Sequence, residues 1–127
     1  MADVVLDASA ILARILDEPG CEIVDRVIGG AVISAVNLTE VAQRLVDLGV
    51  DDALVIDTIG AFSFQVVGLD EALALQAGLM RRATRSRGLS LADRACLALG
   101  LRLGLPVYTA DRAWADLDLG VEVVLIR

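Results

Sequence analysis

The chain has 127 residues, 57% of them hydrophobic, and a formal net charge of −7. It contains no histidine, and all 11 of its basic residues are arginines. A Ser-His-Asp triad, an imidazole base, His-ligated zinc, a P-loop and Schiff-base chemistry are therefore excluded; carboxylates, arginines and hydroxyls are left.

The length fits one domain over residues 1–127, enough to bury about two-thirds of the unfolded surface. Phe, Tyr and Trp together number four, poor material for a base-stacking platform. No apolar run nears the ~18 residues that span a bilayer, and Met1-Ala2-Asp3 lacks a basic leader start. A soluble, cytoplasmic protein is expected. Cys21 and Cys96 are too few for a disulfide framework and are expected as buried, reduced thiols. The acidic balance argues against general nucleic-acid binding. Against it, Arg81, Arg82, Arg85 and Arg87 gather four of the 11 arginines in one short stretch.

Val4-Val5-Leu6 runs straight into Asp7. A short stretch apolar on both faces reads as a strand buried in a parallel sheet, with Asp7 at its carboxyl end. Ser9 to about Asp17 predicts a helix, broken by Pro19-Gly20. A second helix covers Cys21 to Ile28, and Gly29-Gly30 closes it. Ala31 to Val36 reads as the next strand, passing through Asn37 as N-cap into a helix from about Leu38 to Leu48 with Glu40 in its first turn.

Asp51-Asp52 opens a helix to about Gly60 that is apolar over a wide arc, so part of it should face a partner. Phe62 to Val67 is a weaker third strand. Asp70-Glu71 opens a helix expected to run through the arginine cluster to Gly88. Ser90 caps a helix from Leu91 to Leu103 with Asp93 in its first turn, and Gly104 ends it. Leu105 to Thr109 is the fourth strand, Asp111 follows it, a short helix covers Arg112 to about Leu117, and Val121 to Ile126 is the last strand. Strands alternating with helices predict an α/β layered fold with a mostly parallel sheet.

In such a sheet Asp7, Glu40, Asp93 and Asp111 all project to the carboxyl edge, where ligands of open α/β sheets bind. Each acid alone is explained as a helix cap or dipole partner. Four together are harder to explain that way. Carboxylates about 6 Å apart repel by roughly 2–3 kcal/mol per pair at an effective dielectric near 20. Protonation or a bound cation would relieve this, and all-oxygen ligands suit Mg2+ or Mn2+ better than zinc.

Leu6-Asp7-Ala8-Ser9-Ala10, Asn37-Leu38-Thr39-Glu40-Val41, Ser90-Leu91-Ala92-Asp93-Arg94-Ala95 and Tyr108-Thr109-Ala110-Asp111-Arg112-Ala113-Trp114, in that order, resemble the PIN domain, specifically the VapC-type toxins of toxin–antitoxin modules. The resemblance implies a three-layer α/β/α sandwich with a mostly parallel central sheet of four to five strands. It also implies a Mg2+- or Mn2+-dependent endoribonuclease with Asp7, Glu40, Asp93 and Asp111 around the metal. Ser9 and Thr109 match positions whose hydroxyls line that site, and Asp116 matches a further acid of some members. Family members are homodimers silenced by a cognate antitoxin. The helices over 52–60 and 40–48 are the places expected to carry those surfaces. The lack of lysine and the acidic balance depart from what RNA affinity would favour.

Several residues keep two readings. Ser9 is a helix N-cap or a site hydroxyl, and Asp116, five residues beyond Asp111, points away from it on an ideal helix. The cluster Arg81, Arg82, Arg85 and Arg87 either favours a helix end or contacts RNA phosphates. Arg94 and Arg112 either salt-bridge structurally or orient the acids or a phosphate. Trp114 is a core anchor or a base stacker. Of other function classes, a receiver-like phospho-acceptor and a haloacid-dehalogenase-type phosphohydrolase both need a lysine this chain lacks. A catalytically inert PIN-fold module that binds RNA or protein is the remaining alternative.

Overall fold

A computed structural model describes residues 2–127. Its five strands are β1 (Val4–Leu6), β2 (Ala31–Ser34), β3 (Gln65–Val67), β4 (Val107–Thr109) and β5 (Val123–Leu125). They form one sheet in the order β3-β2-β1-β4-β5, and every pairing is parallel. The helices are α1 (Ala8–Ile15), α2 (Cys21–Val27), α3 (Ala35–Asp47), α4 (Asp52–Gly60), α5 (Glu71–Leu79), α6 (Arg81–Thr84) and α7 (Leu91–Leu103). Short 3-10 turns cover Ile28–Gly30, Arg85–Arg87 and Arg112–Trp114.

Alternation along β1 explains the layers. Val4 and Leu6 join a core with Ile11, Val24, Val41, Leu45 and Val55, drawn from α1 to α4. Val5 points the other way, into a second core with Leu73, Ala77, Cys96, Leu97, Leu99 and Trp114, drawn from α5, α7 and the turn after β4. Both faces of the central strand are dry, as parallel sheets require. This is the three-layer α/β/α arrangement that the resemblance implied. Trp114 is wholly buried in the second core, which settles it as an anchor rather than a base stacker.

The strand order also locates the functional edge. From β1 the chain builds outward through β2 to β3, then returns across the sheet to β4 on the other side of β1. The order reverses between β1 and β4, and crevices in open α/β sheets form at such a reversal, outside the carboxyl ends. Asp7 follows β1 directly, and Asp111 lies two residues beyond β4.

Four expected boundaries are corrected. The second strand stops at Ser34, whose hydroxyl accepts a hydrogen bond from Val36 N (3.2 Å) and caps α3. Ser34 therefore does the work assigned to Asn37, which lies inside the helix. The helix expected to run through the arginines breaks into α5, α6 and a 3-10 turn before Gly88. After Asp111 one 3-10 turn replaces the short helix. Cys96 is buried, but Cys21 is only half-buried. Among the described residues no helix is long and apolar enough to cross a membrane.

Candidate active site

At the reversal point Asp7, Glu40, Asp93 and Asp111 line a cleft of about 390 Å³. Asp7 occupies the N-cap position of α1, yet its side chain caps nothing. Instead Oδ2 accepts hydrogen bonds from Ser9 Oγ (2.7 Å) and Thr109 Oγ1 (2.9 Å). Both hydroxyls in turn accept from backbone: Ser9 Oγ from Ala110 N (2.9 Å), Thr109 Oγ1 from Asp111 N (3.0 Å). A hydroxyl has one proton, so these amide contacts aim both protons at Asp7. On its other side Asp7 Oδ1 accepts from Asn37 Nδ2 at 3.4 Å.

Glu40 lies on α3 and accepts from Asn37 Nδ2 at 3.0 Å. Asp93 does two things at once. Its Oδ2 accepts from Ser90 N (2.9 Å) while Ser90 Oγ accepts from Asp93 N (3.1 Å), closing a capping box on α7. The capping explanation of Asp93 is thus true, and the residue still lines the cleft. Asp111 Oδ1 accepts from Ala113 N (2.9 Å) and caps the turn after β4.

Like charges and burial shape the electrostatics. Among the described residues no ion pair engages any of the four acids. Asp7 is 4% exposed, and its pKa is raised to about 6. Burial is the largest cause; the Asp93 and Glu40 charges add to it, against the Ser9 and Thr109 hydrogen bonds. Burial and Asp93 also push Glu40 up, opposed by the Asn37 hydrogen bond. Asp93 is raised by burial first and by Asp111, opposed by its Ser90 bonds and by Arg94. Behind the acids, burial holds the Cys96 thiol well above its ordinary range, and their charges raise it further.

The donor set suits a hard, oxygen-seeking cation, because carboxylates and hydroxyls are what it offers. Among the described residues no three acids converge closely enough to grip an ion unaided.

Other residues stand where the sequence did not point. Leu12, Gln43, Arg44 and Asp47 also line the cleft. Residues 40, 43, 44 and 47 share one face of α3 by their spacing, so the helical period was the available signal. Asn37 joins Asp7 and Glu40 and was missed because it read as a cap. Asp116 is exposed, with a left-handed φ of +63°, and does not line the cleft. Arg81, Arg82, Arg85 and Arg87 are all exposed, and Arg87 Nη1 donates to the carbonyls of Ala115 (2.8 Å) and Ala113 (3.5 Å). Arg94 is buried and donates to the carbonyls of Ser90 and Ala77. Its role is a tie to backbone, without a carboxylate partner among the described residues.

Comparison with solved structures gives the same fold. The toxin–antitoxin complex VapBC from Salmonella typhimurium, bound to DNA, aligns with a TM-score of 0.77 at 18% identity, covering 100% of both chains. A toxin–antitoxin complex from Klebsiella pneumoniae aligns at 0.75 and 15% identity over 98% of both. VapC20 from Mycobacterium tuberculosis, a toxin that cleaves the sarcin–ricin loop, aligns at 0.70 and 16% identity, covering 87% of this chain and 91% of that one. No curated protein matches by sequence. The PIN domain family matches over residues 4–119, and this chain belongs to that family.

Proposed function

We infer that the protein is a Mg2+- or Mn2+-dependent endoribonuclease of the VapC toxin type. The observation that carries this reading is the quartet Asp7, Glu40, Asp93 and Asp111, none ion-paired among the described residues, lining one cleft of a PIN fold. A buried acid with its pKa raised to about 6 costs the fold stability at neutral pH. Such a cost is retained where a ligand uses it.

Carboxylates from among Asp7, Glu40, Asp93 and Asp111, together with waters, would hold the cation, which would acidify a water and neutralise charge on a phosphate. Ser9 and Thr109 fix the Asp7 carboxylate through Oδ2. Arg44 on the cleft wall is the basic group placed to meet a phosphate of the strand. Exposed Arg81, Arg82 and Arg85 add positive charge for RNA, while Arg87 is partly committed to carbonyls. In-line hydrolysis at this site leaves 5′-phosphate and 3′-hydroxyl ends.

The toxin–antitoxin neighbours support a cognate antitoxin as partner. Val46 and Leu48 at the end of α3 and Leu54 and Ile56 on α4 are exposed, an apolar surface suited to it. A homodimer is the expected assembly, and Leu75 and Leu79 on α5 are exposed and apolar as well.

The test is digestion of total RNA with Mg2+ or Mn2+, beside an Asp93→Asn protein and a chelated control, with sequencing of the new 5′ ends. Discrete cuts lost in both controls are expected. Cutting by Asp93→Asn at the wild-type rate would remove the assignment.

A further inference from the structure

Asn37 is fully buried, yet its amide is spent on the site rather than on the fold. Nδ2 lies 3.0 Å from Glu40 Oε1, 3.3 Å from the Ala92 carbonyl and 3.4 Å from Asp7 Oδ1. These acceptors belong to α3, to the residue before Asp93 on α7, and to the end of β1. Three acceptors surround one NH2, which settles the amide orientation: the reverse would set oxygen against oxygen three times. An NH2 has two protons, so the amide is shared among them.

The far side of the same group is left unserved. Among the described residues Asn37 Oδ1 is buried with no hydrogen-bond partner, and an orphaned buried acceptor destabilises a fold. Ser34 already supplies the α3 cap, so capping does not explain the asparagine.

We propose that Asn37 is a positioning residue of the candidate metal site, a neutral donor that bridges the Asp7 and Glu40 carboxylates and ties them to the N-terminus of α7. This rests on the metal-dependent reading above. The bridge sets the separation of the two acids before any cation arrives. Outer partners of this kind govern how well the ligands themselves bind. With Ser9 and Thr109 on Oδ2 and Asn37 on Oδ1, the Asp7 carboxylate is oriented from both ends.

The experiment titrates Mn2+ into the metal-stripped full chain by calorimetry. Asn37→Leu, Asn37→Ala and Asp7→Asn stand beside the wild type, and each metal-free protein is also melted thermally. Asn37→Leu keeps the volume and removes both the donor and the orphaned oxygen. It is expected to fold and to bind Mn2+ about 10–100-fold more weakly. Asn37→Ala should weaken binding to the same extent, since the loss follows the donor and not the filled space. An Asn37→Leu affinity within twofold of wild type overturns the proposal and leaves the metal site standing. A fall in melting temperature that accounts for the weaker binding makes Asn37 structural and overturns it too. A wild type that binds Mn2+ no better than Asp7→Asn overturns both this proposal and the reading it rests on.

Discussion

The hydroxyl of Thr109, at the end of β4, donates to Asp7 Oδ2, just past β1, across 2.9 Å. It lies beside the backbone bond from Asp7 N to Tyr108 O (2.9 Å) at the seam where the strand order reverses. Ser9 makes the same donation at 2.7 Å from the first turn of α1. Hydrogen bonds to a carboxylate favour its charged form, and both hold the Asp7 pKa below what burial alone would set. Removing them in Ser9→Ala/Thr109→Val should therefore raise that pKa further. The pH midpoint of Mn2+ binding should move up by about one unit, since a protonated acid cannot ligate. Calorimetry across pH 5–8 reads the shift; an unchanged midpoint would mean that these hydroxyls do not govern Asp7.

Asp7 itself should be a stability liability in the metal-free protein. Its carboxyl is 4% exposed and titrates near 6 rather than 3.8, a difference of about 3 kcal/mol against the ionised folded state. Asp7→Asn should raise the metal-free melting temperature at pH 7 by several degrees and abolish Mn2+ uptake. A mutant no more stable than wild type would contradict the crowding of charge in the cleft.

The pH dependence of the wild type has the same origin. Between pH 3.8 and about 6 the folded protein keeps a proton on Asp7 that the unfolded chain has lost. Stability contributed by that proton is present below the lower value and is lost as pH rises through the upper one. Glu40 and Asp93 are shifted in the same direction. Asp70 opposes them, lowered to about 2 by Arg102, but it is exposed and its share is small. Metal-free melting temperature should thus fall from pH 4 to pH 7. Saturating Mn2+ should flatten the upper part of that fall, because ligation replaces the proton; about 2.7 kcal/mol is recovered at a hundredfold excess over Kd. Melts at five pH values with and without metal decide it.

Much of this was legible because local signals agreed with the fold. α7 was read to the residue: Ser90 and Asp93 form a capping box, and Gly104 ends it with φ +65°. Asp7, Asp93 and Asp111 were legible because each follows a buried strand or opens a helix, where polar residues are conspicuous against apolar runs; Glu40, expected in a first turn, lies in the second turn of α3, which begins at Ala35. The β2–α3 junction was not, because Ala35 and Val36 continue the strand's apolar run while already turning helical. With two cap formers three residues apart, the choice fell on Asn37, which hid its contacts to Asp7 and Glu40. The contact to Glu40 is an i,i+3 pair on α3 and was open to the helical period, whereas the contacts to Asp7 and to the Ala92 carbonyl span 30 and 55 positions, and no sequence period reports those. The break between α5 and α6 was illegible too, as neither Gly nor Pro stands at Met80.

Gly20 offers a test of the fold apart from the site. It caps α2 with φ +94°, and a Cβ there would strike the carbonyl of Ile126 near the chain's end. Gly104 also has positive φ, but its Cβ would meet nothing. Gly20→Ala should cost at least about 2 kcal/mol, from strain and clash together, and Gly104→Ala about 1. Denaturant unfolding of both variants checks the order. Equal losses would show that the close approach to Ile126 contributes nothing.

Arg94 separates a buried tie from a surface pair. Its guanidinium donates to Ala77 O (3.0 Å) and Ser90 O (3.3 Å) while the residue is 9% exposed. Ala77 lies in the last turn of α5, where carbonyls lack helical partners and favour a cation. Arg94→Leu keeps the apolar bulk but leaves Ala77 O without that donor. Charged hydrogen bonds are worth about 1.5–3 kcal/mol, so a loss of about 2–4 kcal/mol is expected. Arg102→Gln breaks the exposed pair with Asp70 and should cost less than about 1 kcal/mol. Urea unfolding at unchanged m-value compares the two. Should Arg94→Leu cost no more than Arg102→Gln, the α5–α7 contact is held by Leu73, Ala77 and Leu97 alone, and the arginine is free to serve Asp93 instead.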